Sequence, residues 1–314
     1  MPGSSNELGM SYGRRDAFLE LSGPRPMLKI NKILLPVDFP NTSLHVIQQA
    51  ATLARHFHSE VLMLHVLTVQ SHLAGVPASG PELARWDLLA AITRRAEKNL
   101  NQVFGLELSE LTIRRMVVRG GAAQAIMKIA REENVDLIMM PSAGPAFYEF
   151  LQSSATAELE RDTSCPVWTD AHLEELPAKK FALRSVLCAV EFNSNDRKTV
   201  WWAAQLAAEF GARLTLAHVT ASVERWGPGG TYVNPAWKQA LFTDASQQLA
   251  DLQKNAGIKS EVFIGSGDVP AVLCQAAKET NADLLVTGCY PYGGRLRTHG
   301  YNIMCAVPIP VLSV

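Results

Sequence analysis

The densest concentration of chemically useful side chains lies between Gly288 and Gly300, in the segment GCYPYGGRLRTHG. Glycines at 288, 293 and 294 let backbone N–H groups approach a ligand. Arg295, Arg297 and His299 add positive charge. The segment reads either as an anion site or as a solvated basic turn. Ser153 and Ser154 form a second candidate. Their hydroxyls suit a phosphate, and Ser153 equally suits a helix N-cap. Two carboxylates, Asp38 and Glu191, close the apolar runs ILLPVD and VLCAVE. His65 and His218 end two further apolar runs and read as a structural repeat, since a neutral imidazole is readily satisfied by backbone. His56 and His58 present their rings on different faces and have no third ligand nearby, so no metal site is expected. Gly265-Ser266-Gly267 lacks the full G-x-S-x-G form. Asp268 there suits an N-cap and Pro270 the first turn, so no catalytic residue is expected.

These residues need elements to position them, and the chain supplies the elements twice. AATLARHFHSEVLMLHV, from Ala50, aligns without gaps to AAQLAAEFGARLTLAHV, from Ala203, with seven of 17 positions identical. The offset of 153 carries His65 to His218 and Asp38 to Glu191. AIMKIAREENVDLIMMP, from Ala125, matches AVLCQAAKETNADLLVT, from Ala271. A period this long marks duplicated domains, because solenoid repeats are far shorter.

Within one copy, residues 31–38 are a short apolar run, as in a strand buried on both faces. Ile47, Ala50, Ala54 and Phe57 recur at helical spacing from Ser43 to Phe57. Strands are expected at 60–67, 111–118, 135–140 and 165–168. A long helix is expected from Pro81 to Phe104, and a shorter one opens at Gly120-Gly121 and runs to Glu133. Alternating strands and helices require right-handed crossovers and a parallel sheet covered on both faces. The expected boundaries are a disordered tail at 1–28, a first domain at 29–171, a linker at 172–181 and a second domain at 182–314. Of Trp201 and Trp202, one is expected in the core and the other over the linker or domain interface.

Composition narrows the function. The 29 basic and 30 acidic residues nearly cancel, so a nucleic-acid footprint is not expected. No apolar run approaches the ~20 residues of a membrane helix, and the first 28 residues hold no signal-peptide core, which points to the cytoplasm. The five cysteines form no C-x-x-C pair and read as small buried hydrophobes.

The order of these motifs, met twice, resembles the universal stress protein family. The resemblance rests on the strand ending in Asp38, AATLARHF, VLMLHV, GGAAQAI, VDLIMM and CPVW. In the second copy it rests on VLCAVE, LTLAHV, GSGDVPAVL, ADLLVTG and IPVLSV. It implies two tandem, doubly wound, five-stranded parallel-sheet domains of Rossmann-like (adenine nucleotide alpha hydrolase-like) α/β class. Some members bind ATP through a G-x2-G-x9-G-[ST] loop after strand four, with an Asp at the end of strand one against the nucleoside. That place is the topological switch point.

By that resemblance Asp38 takes the nucleoside position, and Val66, with Val219 in the second copy, the edge of the adenine pocket. The first copy's loop departs from the pattern: Pro141 stands at the first glycine, Gly144 is kept, and Ser153-Ser154 replace the late Gly-Ser pair. In the second copy Glu191 replaces the Asp, Gly288 is kept, Pro291 replaces the second glycine, and Gly293-Gly294 with Arg295 follow. The implied function is a non-enzymatic stress-response binding module with at most one adenine-nucleotide (ATP) site. Alternatives are an ATP-using enzyme of a related fold, whose S-G-G-x-D-S or K-M-S-K-S signatures are absent, and an interaction scaffold without nucleotide. Single-domain members of the family pair through the fifth strand. Val167 and Trp168 are therefore expected beside Val311 and Leu312, antiparallel and within one chain.

Overall fold

The computed structural model describes residues 27–38, 43–68, 82–141, 165–170, 181–222, 224–227, 230–288, 303 and 306–314. The first half runs β1 (Lys32–Pro36), α1 (Leu44–Phe57), β2 (Glu60–Leu67), α2 (Glu82–Gln102), β3 (Ile113–Arg119), α3 (Ala122–Glu132), β4 (Leu137–Met140) and β5 (Val167–Thr169). The second runs β6 (Ser185–Ala189), α4 (Asp196–Phe210), β7 (Arg213–Thr220), a hairpin of β8 (Glu224–Gly227) and β9 (Gly230–Val233), α5 (Pro235–Ala256), β10 (Glu261–Ser266), α6 (Val269–Glu279), β11 (Leu284–Thr287) and β12 (Val311–Ser313). Tail residues 1–26 and linker residues 172–180 lie outside the described residues. The packed chain begins within the expected tail, since Leu28 is buried.

Local sequence explains where elements begin and end, and several of its devices recur in both halves. The Ser43 hydroxyl caps α1 by accepting from His45 N–H. α1 and α4 stop at His58 and Gly211, both in the left-handed region, at equivalent positions. Each half ties the start of its first strand with one carboxylate: Asp136 Oδ2 accepts from Asn31 and Lys32 N–H at 2.8 and 3.0 Å. Asp283 Oδ2 accepts from Arg184 and Ser185 N–H at the same distances. Gly120 and Gly267, at equivalent turns into α3 and α6, have φ of 146° and 126°. A side chain at either would be strained. The hairpin was not foreseen, because its short strands flank a Gly-Pro-Gly-Gly turn that reads as loop.

All these strands except the hairpin form one ten-stranded sheet, ordered β10-β7-β6-β11-β12-β5-β4-β1-β2-β3. Every neighbouring pair in it is parallel except β5 with β12. There Trp168 stands opposite Leu312, Val167 opposite Ser313 and Thr169 opposite Val311. The expected antiparallel pairing is present, and it moves two potential edge strands to the middle of the sheet.

Apolar clusters cover both faces and run through both halves. One includes Ile33, Leu35, Ile47, Trp168, Val186, Leu206 and Leu312. The other includes Leu34, Leu62, Ile126, Ile138, Leu187, Leu273 and Val311. Each fully buried Leu or Ile contributes about 1.5–3 kcal/mol. Trp202 is buried in the first cluster, as expected of one of the pair, and Trp201 packs half-buried against that cluster, edge-on to Trp202. No described helix is long and apolar enough to cross a membrane.

Candidate functional site

In each half the helices after the first two strands pack on one face and the helix after the third packs on the other. The direction of winding therefore reverses between β1 and β4, and between β6 and β11. Their carboxyl ends flank a crevice where such sheets take ligands.

The strand register places the sequence-predicted residues there. Pro36 pairs with Leu64, and Val37 N–H donates to Leu64 O at 2.8 Å. Asp38 follows one residue beyond that bond, at the carboxyl end of β1 and next to the end of β2 that carries Val66. In the second half Ala189 pairs with Ala217, and Val190 N–H donates to Ala217 O at 2.9 Å. Glu191 follows one residue beyond that bond, next to the end of β7 that carries Val219. Alternation along a strand puts each carboxylate and its valine on the face of Leu34 and Leu187, the side of α3 and α6. Asp38, Val66 and Val219 are half-buried, and Glu191 is exposed. Pro141 and Gly288, both half-buried, follow β4 and β11 at equivalent places. Gly144, Ser153, Ser154, Gly293, Gly294 and Arg295 lie outside the described residues.

Two differences separate the crevices. α3 opens at Gly121 with no side-chain cap, whereas the Asp268 carboxylate caps α6 by accepting from Ala271 N–H. The first turn of α6 thus already carries an anion, and that of α3 does not. Behind Glu191, buried Asp196 accepts from the N–H groups of Glu191 (3.2 Å) and Asn193 (3.0 Å). This knots the loop between β6 and α4. The signal was the Asn-Ser-Asn-Asp run, typical of side-chain-closed turns.

The histidines occupy strand ends, as read from the repeat. His65 Nδ1 lies 2.7 Å from Val37 O, and His218 Nδ1 lies 2.9 Å from Val190 O. His56 joins an interhelical contact described below, and His58 is the left-handed cap of α1. Among the described residues no group of three or more potential metal ligands comes together. Ser266 donates to Ala221 O, and Asp268 with Pro270 starts α6. Burial pushes the Cys188 thiol far up, with a smaller push from the Asp196 charge, and burial also raises Cys274. Neither is poised as a nucleophile.

The fold is that of a tandem, doubly wound α/β protein with a reversal of winding in each half. The sequence profile described as universal stress protein family matches residues 29–169 and again 182–298. A universal stress protein of Methanocaldococcus jannaschii is 28% identical over 139 residues, covering 43% of this chain and 79% of its own. Universal stress protein A of Escherichia coli is 27% identical over 136 residues, covering 42% and 94%. The crystal structure of a universal stress protein from Archaeoglobus fulgidus superposes over 91% of this chain and 96% of its own, with a TM-score of 0.62 at 18% identity. The chain belongs to the universal stress protein family and carries two of its domains in tandem.

Proposed function

We propose that this chain is a regulatory binding module of the stress response, without fast catalysis, and that it holds at most one adenine nucleotide. We place that nucleotide in the first copy, and the domain limits at 29–171 and 182–314. The observation that carries the assignment is the contrast between the two crevices. In the first, Asp38 leaves β1 next to the end of β2 that carries Val66, on the side of a helix whose first turn bears no side-chain cap. In the second, Asp268 occupies the equivalent turn and Glu191 stands in place of the aspartate. A carboxylate at a helix N-terminus competes with any anionic group brought there. The basic segment around Arg295 remains the second copy's own candidate, and the experiment separates the two.

The purified chain is denatured, and released nucleotide is identified by chromatography and mass spectrometry. The same is done for Asp38→Ala and Glu191→Ala. The expected result is no more than one adenine nucleotide per chain, lost in Asp38→Ala and kept in Glu191→Ala. The reverse pattern moves the site to the second copy. Hydrolysis of ATP faster than about one per second, within the range of ordinary enzymes, and absent from both variants, overturns the non-catalytic reading.

A further inference from the structure

We infer that His65 is a positioning residue for Asp38: it holds the backbone from which the site carboxylate projects and makes no contact with the ligand itself. The inference rests on the nucleotide reading for its binding consequence, and on geometry alone for its structural one.

A carbonyl oxygen only accepts, so at 2.7 Å from Val37 O the Nδ1 of His65 carries the proton and donates. Val37 is the residue immediately before Asp38. Beyond it β1 has ended, and Val37 N–H bonds to Leu64 O as the last ladder step on that side. The ladder therefore fixes the N–H of Val37, and His65 fixes its carbonyl. Both flanks of the peptide leading into Asp38 are held from β2. His65 is buried, and alternation places it with Val37 on the face of α1, opposite the face of Asp38 and Val66. From there it can set the direction of the carboxylate without meeting a ligand in the crevice.

The second half repeats the device independently. His218 Nδ1 lies 2.9 Å from Val190 O, and Val190 immediately precedes Glu191. Here the next residue, Phe192, turns back at a φ of 60° and lays its ring 4.0 Å from that of His218. The same side chain thus grips the same carbonyl one residue before the site acid in both copies.

The test uses the full chain with His65→Leu, His65→Gln and, as the corresponding change in the second copy, His218→Leu. ATP affinity is measured by calorimetry, stability by urea unfolding, and the Asp38 and Glu191 backbone amides by NMR. His65→Leu should weaken ATP binding about three- to ten-fold, the change that one net hydrogen bond carries. His65→Gln, whose amide can donate to the same carbonyl, should restore part of it. His218→Leu should lower stability and leave ATP affinity unchanged. In the spectra, His65→Leu should move the Asp38 amide and not that of Glu191, with the converse for His218→Leu. Unchanged affinity and an unmoved Asp38 amide in folded His65→Leu would overturn the inference. If the wild-type chain binds no ATP, the nucleotide reading fails by itself, and the amide shifts still decide the positioning role. If His65→Leu does not fold, the His65→Gln spectra and affinity decide.

Discussion

His56 and Glu209 occupy the same position in the two copies, 153 residues apart, and they face each other across the junction with Nε2 and Oε2 at 3.3 Å. Equivalent positions can touch only near a twofold axis, so this contact marks the pseudo-twofold that relates the halves. The rings around it agree. His56 stacks on Phe210 at 4.3 Å, and Phe57, the equivalent of Phe210, meets it edge-on at 6.1 Å. The segments entering the first strand of each copy join the same interface. Leu28 donates its N–H to Gln205 Oε1 on α4, and Phe181, its equivalent, packs edge-on against Trp168 of β5. Each copy is thus tied by a segment that belongs in sequence to the other.

The tie from Leu28 gives a counterintuitive expectation. Leu28→Asp puts a charge into a buried position at the start of the first copy, yet it should speed hydrogen exchange in α4 of the second copy by about ten-fold. Exchange followed by mass spectrometry on the full chain checks this. An effect confined to β1 and α1 would show that the segment serves only its own copy.

Trp168 is fully buried, and its Nε1–H donates to Gln49 Oε1 at 2.6 Å. Trp168→Ala should cost about 3–5 kcal/mol through the cavity it leaves. Trp168→Phe keeps most of the volume and strands the Gln49 oxygen, so about 1–3 kcal/mol is expected. Trp168→Phe with Gln49→Leu should recover much of that loss. Urea titrations of the three chains give the comparison.

Much of this architecture was legible in the sequence because its causes are local or repeated. β2 spans the residues that the apolar run 60–67 indicated, since a strand buried on both faces leaves an unbroken hydrophobic signature. The pairing of Trp168 with Leu312 followed from the family resemblance, in which fifth strands pair, together with two short strands that each needed a neighbour. The Asp268 cap was legible from its position before Pro270. The lack of any cap on α3 was not read as a difference, because a Gly-Gly turn announces a helix start without saying what its N–H groups meet. Asp196 was hidden for another reason: its role depends on backbone donors five and three residues upstream, which only the folded loop brings to it. The ties at Leu28 and Phe181 were missed because they join residues far apart in sequence.

At the amino ends of β1, β2 and β3, Glu133 sits between Lys32 and Arg114, with Glu60 completing the network. Hydrogen bonds first from Arg114 and then from Lys32 hold the Glu133 carboxyl below its ordinary value. A depressed carboxylate adds stability above its unfolded pKa, about 4.3, and loses it as pH falls through the lower folded value. Glu133→Gln should therefore be less stable than wild type at pH 7 and equal to it once the pH is well below that range. The pH 7 difference should shrink in high salt, since Arg114 is partly exposed. Thermal melts over pH and salt check both statements.

Val311 tests how far the two sheets act as one. It is fully buried in β12, paired with Leu285 on one side and Thr169 on the other. In a sheet that ended at β12, a proline there would meet one open edge and be partly tolerated. Here β12 is central, so Val311→Pro removes an N–H and forces a fixed φ where neighbours hold the backbone on both sides. The expectation is a large loss of stability felt by both halves together. It should appear as a single transition at lower denaturant, whether followed by exchange in β4 and β5 or in β11. The physical reason is that Trp168 and Leu312 belong to one apolar cluster reaching into both halves, so neither half can lose that strand and keep its own core closed. Two separate transitions, with the first half melting at its wild-type midpoint, would show that the antiparallel seam is a docking contact between independent domains.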